Sequence, residues 1–427
     1  MKNVLQKAKG ELLSNSFVVL ISLVLTTIPL PYIYNSIATI LFVIYCLFSI
    51  KKQEISIQKE LFFPIAIYIL MIVSLFWTID FKISATALTK EISFLVLPLC
   101  FFLQPIKSSL QKNKILNYFA FGMFFYALFY VIKASLRYII TRNPEVFFYH
   151  ELVTSDVNAI HVSVYFAIAF FILFIQKTKS KLSIIAQITL AILLVLLSSK
   201  NISVIFFMLL LSHQVVIILR KRKIKFIYLI LIVTVIITGF LFKIKDRFKE
   251  EIDSNFTETS QIAIDPEFVR DVSVRDAIYK DKFNSNNYFG GTALRVYQAR
   301  IFSEMLHEDK IFATGYGLNA AQSKIIEKRK EHNLHYGYDF FNFHNQYIQF
   351  FAELGVVGLL LLLIMVAVNL KNAINNKDFI HFSFAILMIS LFLTESFLSR
   401  QRGIVFFVMM YCVLNARIKE NNSKNLT

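Results

Sequence analysis

Apolar runs of roughly twenty residues, separated by short polar stretches, recur along the whole chain. A helix needs about 20 residues to cross a ~30 Å hydrocarbon layer, so each run predicts a membrane-spanning helix. Twelve are expected, near residues 14–30, 32–50, 61–78, 85–103, 115–139, 159–176, 182–198, 201–219, 225–243, 343–370, 379–397 and 403–416. Pro29 and Pro31 divide the first pair, because proline removes a helical hydrogen bond and clashes with the preceding turn. The expected fold is an all-α polytopic membrane protein of about twelve transmembrane helices, with one large loop between the ninth and tenth. Three regions follow: helices 1–9 in residues 1–243, the loop in 244–342, and helices 10–12 with a tail in 343–427.

Within the loop the period changes. Leu294, Tyr297, Ile301 and Met305 recur at three- and four-residue steps, which predicts an amphipathic helix from Thr292 to Asp309. Asn284-Ser285-Asn286-Asn287 before it and Gly315-Tyr316-Gly317 after it are breakers. The loop is short of apolar residues for a full core of its own and is expected to rest on the bundle.

Composition agrees with the pattern: 56% of residues are hydrophobic, 45 are phenylalanine and mean hydropathy is +0.60. The net charge of +17 needs locating before it is given a meaning. Between Ile244 and Phe341 there are 16 acidic and 14 basic residues, so the excess lies among the helices and their short connections. Lys51-Lys52, Lys107, Lys112 and Lys114, Lys177, Lys179 and Lys181, Arg220 to Lys225, and Arg417 with Lys419 all fall on one side of a twelve-helix alternation. That is the positive-inside pattern. It puts both termini in the cytoplasm, turns the large loop outward, and removes nucleic acid as a partner. The basic start (Lys2, Lys7, Lys9) has no small-residue cleavage site after it, so a retained first helix is expected. Cys46, Cys100 and Cys412 sit in apolar runs and offer neither a disulfide framework nor metal spacing.

Candidate chemistry gathers at the outward ends of the helices. His344-Asn345 opens the tenth span; an interfacial cap and a proton-accepting imidazole both fit it. Glu353 follows inside apolar surroundings, where an ionised residue needs a partner or a task; a bundle partner is expected. Gly355 and Gly358 allow close approach of a neighbouring helix. Arg295 and Arg300 lie on the amphipathic helix about 140° apart, so they do not point the same way. Either is a solvated charge or a planar fork suited to a diphosphate, and Arg295 is favoured by its place at the helix start. Lys200 fits a snorkelling lysine or part of an anion site. Glu395, Arg400, Gln401 and Arg402 cluster at another outer junction, where an internal glutamate–arginine pair bracing the bundle is expected. His161 is ambiguous, and His332 with His335 lacks a further ligand for a metal site.

His344-Asn345, nine residues, then Gly355-Val356-Val357-Gly358 fits the pattern His-Asn/Ser/Gln-x9-Gly-x-x-Gly/Thr/Tyr. With the Arg295 helix, Gly315-Tyr316-Gly317 and the twelve-span layout, the chain resembles the bacterial O-antigen ligase and O-antigen polymerase superfamily. Lys200 stands where relatives often carry arginine, and Tyr297 where a tryptophan commonly follows the loop arginine. The resemblance implies a metal-independent, cofactor-free, inverting glycosyltransferase in the inner membrane, working at the periplasmic face. Its donor would be a glycan on undecaprenyl diphosphate. Its acceptor would be lipid A–core in a ligase, or a second carrier-linked repeat in a polymerase; a protein acceptor shares the same donor chemistry. The implied site has His344 as base and Arg295 as the catalytic cation, with Lys200, Arg300 and Asn345 around the substrate. Loops 141–160 and 250–292 would read the acceptor. A transporter of lipid-linked glycans is the competing class; it predicts paired repeats and midplane polar residues, neither of which the pattern displays.

Overall fold

The computed structural model describes residues 15–50, 55–197, 199–221, 270–338 and 340–418. The expected ninth span and the first part of the large loop (244–269) lie outside the described residues. Among them the chain is helical, apart from a two-residue parallel pairing of β1 (Arg270–Asp271) with β2 (Asn287–Tyr288).

The membrane bundle begins with α1 (Ser16–Thr26), α2 (Tyr32–Phe48) and α3 (Phe62–Val73). Next come α4 (Phe81–Glu91) and α5 (Ser93–Leu103), a bent pair where one span was expected, and α6 (Ser109–Thr141). A short α7 (Tyr149–Leu152) leads to α8 (Ala159–Phe174), α9 (Lys181–Leu196) and α10 (Lys200–Lys221). After the outer unit the bundle closes with α14 (Gln346–Asn375), α15 (Phe379–Phe392) and α16 (Gln401–Asn415). Among the described residues, four stretches are long and apolar enough to cross a membrane by themselves: Lys59–Phe76, Phe81–Leu103, Ser109–Thr141 and Gln346–Asn375. The other bundle helices are shorter and apolar.

Burial follows composition. From Arg402 to Asn415 every residue of α16 is buried, and α8 is buried nearly throughout, as expected of helices that are apolar on all sides. These two form the centre, with rings such as Tyr165 and Phe406 in contact at 4.6 Å. The 33 residues of α6 extend about 50 Å, well past a hydrocarbon layer, so its last turns project beyond the bundle. Arg137 there pairs with Glu151 of α7, which brings the 142–158 connection back over the bundle's end.

Residues 270–343 form a small helical unit from α11 (Val274–Tyr279), α12 (Gly291–Glu308) and α13 (Ala321–Glu331). Leu294, Tyr297, Ile301 and Met305 of α12 are buried against Phe283, Phe289 and Phe343. That face is the one the sequence period marks.

The unit does not merely rest on the bundle. Helix α14 is interrupted at Gly355, whose φ of 67° and ψ of −169° are non-helical. The backbone groups freed there pair with the segment after α12. Tyr316 N donates to Ala352 O at 2.8 Å, Gly317 N to Glu353 O at 2.9 Å, and Val356 N to Phe312 O at 2.8 Å. Unpaired backbone groups are costly away from water, so these bonds allow the break to exist. A side chain at Gly355 would meet Ala313 O at 2.1 Å, and one at Gly315 would meet the Glu353 carbonyl carbon at 2.5 Å. The opposite flank of the segment is held by Trp77 Nε1 to Thr314 O, 2.8 Å, and Ile79 N to Tyr316 O, 3.0 Å. Gly358 faces its own preceding turn, where a side chain would meet Leu354 Cβ at 2.3 Å. Both motif glycines therefore serve the kink, where packing against a separate helix was expected.

Candidate active site

Three consecutive residues set the centre of the site. Phe343 is fully buried in the core of the outer unit, against Phe302 at 5.7 Å. Asn345 caps α14, its Oδ1 accepting from Tyr347 N (3.0 Å) and Ile348 N (3.1 Å) while its Nδ2 donates to Leu393 O (3.2 Å). Anchored on both sides, His344 takes a left-handed φ of 46°. Non-glycine residues rarely adopt that region, and they keep it only where the surroundings impose it.

The turn aims the imidazole at Glu395, with Nδ1 3.3 Å from Oε2. The other carboxylate oxygen receives Arg295 NH2 at 2.9 Å, and Arg295 Nε donates to Thr394 O at 2.8 Å. Thr394 is also a node for α10: Asn201 Nδ2 reaches Thr394 Oγ1 at 2.8 Å and Ser390 O at 2.9 Å. That contact sets exposed Lys200, the first residue of α10, beside the same junction. Arg295 and His344 thus meet at Glu395, with Asn345 beside His344 at the start of α14 and Lys200 next to the same junction.

The electrostatics follow from these contacts. Burial opposes ionisation of Glu395, but the His344 hydrogen bond and the Arg295 guanidinium outweigh it and hold its carboxyl below the ordinary range. An ionised carboxylate only accepts, so Nδ1 of His344 is the donor and Nε2 is the nitrogen turned away from the acid. Nε2 makes no hydrogen bond among the described residues, and the His344 side chain is 24% exposed. Arg295 is 33% exposed, against 9% for Glu395. The buried acid orients two groups that both remain accessible.

Other expected residues lie elsewhere. Arg300 binds Glu304 (2.8 Å) and Lys280 O (2.7 Å) inside the outer unit and does not join Arg295, as their angular separation on α12 requires. Glu353 is buried and is held by Gln349 one turn earlier on its own helix and by the backbone of Asn319 from the segment after α12. The Glu395–Arg400 pair does not form. Glu395 takes its arginine from α12, while exposed Arg400 makes no side-chain hydrogen bond or ion pair among the described residues. Arg402 pairs with Asp156 at 2.6 Å and lies over the Tyr32 ring. His161 is buried against Phe397 at 4.4 Å. His332 is held by Tyr297 and Glu304.

The expected eleventh span ran to residue 397, but α15 ends at Phe392, which frees Glu395 into a loop. The available signal was an acidic residue at the edge of an apolar run. Its partners, 51 and 100 residues away in sequence, carried no local mark.

Long apolar helices enclosing a recessed acid, with an accessible histidine and arginine at one end, define a multi-pass membrane protein with a polar cluster at the bundle's edge. The family described as O-Antigen ligase matches residues 185–363, so that part of the chain is similar to the family its sequence pattern resembles. No curated protein matches it. The matched segment runs from α9 into α14 and includes Lys200, Arg295, His344, Gly355 and Gly358. Glu395 and Arg400 lie beyond it.

Proposed function

We propose that the protein transfers a glycan from undecaprenyl diphosphate to a lipid A–core hydroxyl at the periplasmic face of the inner membrane, with His344 as general base. The observation that carries this reading is the arrangement of His344 and Arg295 on opposite oxygens of buried Glu395.

The acceptor hydroxyl attacks the anomeric carbon of the donor sugar from the face opposite the diphosphate. The new glycosidic bond forms as the bond from that carbon to the phosphate oxygen breaks, which inverts the configuration. His344 Nε2 takes the hydroxyl proton, and the imidazolium that results is stabilised by Glu395 on Nδ1. Polyprenyl diphosphate leaves with increased negative charge. Arg295 lies where it stabilises that charge, with Lys200 beside it and Asn345 fixing the start of α14. Metal-independent chemistry and a role for these cations are both part of the proposal.

Replacing His344 by Ala is expected to lower glycan transfer by ~10²- to 10⁴-fold, with membrane expression unchanged. Complementation of a deletion strain, read on its lipopolysaccharide ladder, checks this. Full activity of His344→Ala would remove the base assignment. In the deletion strain, loss of all core-attached chains supports the ligase; core capped with single repeats would make the protein a polymerase.

A further inference from the structure

The connection from Glu395 to α16 is tightly held. Leu398 N donates to Gln346 Oε1 at 2.6 Å, Ser396 Oγ to Gln349 Oε1 at 3.4 Å, and Phe397 packs on His161. A side chain at Gly403 would meet Phe397 O at 2.0 Å, so the 3₁₀ turn Phe397–Ser399 is clamped onto the first turn of α16. The side chains that follow are engaged: Gln401 Nε2 reaches Ser36 Oγ at 3.0 Å, and Arg402 binds Asp156 and the Leu30 carbonyl. Arg400 stands between these fixed neighbours as the N-cap residue of α16, yet its own guanidinium is exposed and makes no hydrogen bond or ion pair among the described residues.

Its surroundings belong to the site. His150, on α7 across the mouth, is pushed below the usual histidine range by burial, with Glu395 opposing that shift and Arg400 adding to it. His161 also lies within electrostatic reach of both Glu395 and Arg400. Arg295 has all three nitrogens engaged, Nε with Thr394 O, Nη1 with Gly291 O and Nη2 with Glu395, so only part of its fork is left for a ligand. Arg400 keeps the whole fork, and the positive end of the 15-residue α16 lies behind it. An arginine held at its backbone and unengaged at its tip is suited to bidentate binding of a phosphate.

We infer that Arg400 is the second phosphate-binding arginine of the site, gripping the diphosphate of the lipid carrier from the α16 side while Arg295 holds it from the α12 side. The inference rests on the carrier-dependent transfer proposed above. It turns a residue expected to brace the bundle into one that binds substrate.

The test uses the full chain in lipid nanodiscs. Binding of polyprenyl diphosphate, polyprenyl monophosphate, polyprenol and inorganic diphosphate is measured by native mass spectrometry for the wild type, Arg400→Ala, Arg400→Gln and Arg400→Lys. The wild type is expected to prefer polyprenyl diphosphate over polyprenol. Arg400→Ala and Arg400→Gln should lower polyprenyl diphosphate affinity by ~10- to 100-fold, leave polyprenol binding and the unfolding temperature unchanged, and be partly rescued by Arg400→Lys. Wild-type affinity for the diphosphate in Arg400→Ala would overturn the inference and leave the transfer reading standing. A drop of several degrees in unfolding temperature for both neutral variants would make Arg400 a structural tie and overturn it too. Inorganic diphosphate bound as tightly as the lipid would make the site one for free phosphate. A wild type without preference for the diphosphate would sink the transfer reading itself.

Discussion

Both ends of the bundle carry a histidine held in a polar network, and the two are built to different ends. At one end His381 Nε2 meets Asn369 Oδ1 at 2.7 Å; Asn369 receives Asn415 at 2.8 Å, and Asn372 donates to Asn415 at 2.9 Å. Lys112 pairs with Asp378 at 2.9 Å beside them. His381 is fully buried, and the network ties α14, α15 and α16 together. At the other end Glu395 is as well buried, but His344 and Arg295 each present an open edge. A buried polar network is therefore no mark of a site in itself. What distinguishes the His344 end is a sealed carboxylate joined to side chains that stay partly exposed.

Three substitutions sharpen the contrast. Glu395→Gln has the largest expected effect: His344 loses the negative charge that stabilises its imidazolium, and transfer should fall by ~10²-fold. The same variant tests the electrostatics. Because the folded carboxyl is held below the ordinary glutamate value, its stabilisation is fully present above that value and is lost as pH falls through the folded one. Thermal unfolding curves of wild type and Glu395→Gln should separate above the ordinary glutamate range and converge in stronger acid. Curves that stay parallel through the acid range would break the assignment.

His381→Leu is the matching change at the sealed end. It removes one partner from a buried network and should cost ~1–3 kcal/mol of stability, with transfer per folded molecule unchanged. A specific loss of turnover there would erase the distinction between the two ends. Smallest is Arg300→Ala, which removes partly exposed ion pairs worth about 0.2–1 kcal/mol. Its transfer rate should equal that of the wild type; a large loss would return Arg300 to the site.

Hydropathy made the helices legible because lipid-sized apolar runs have few other readings. The family pattern marked His344 and the Gly355–Gly358 pair. Two things were hidden for the same physical reason. The kink at Gly355 depends on Phe312, Tyr316 and Gly317, some 40 residues earlier, and a glycine in a membrane helix more often signals packing. Arg400, five residues from Glu395, was the natural partner by sequence, yet Arg295 arrives from another element and satisfies the acid first. Local patterns report the period of a helix; they do not report which distant backbone or charge fills its gaps.

The interruption in α14 also bears on how the protein is made. Ala352, Glu353 and Val356 expose backbone groups that hydrocarbon cannot satisfy, and their partners, Phe312, Tyr316 and Gly317, are synthesised before them. A tenth span entering the bilayer alone would carry those groups bare. Its settled form requires the segment from Phe312 to Gly317 to be waiting beside it, so placement of that segment and integration of α14 are one coupled event in biogenesis.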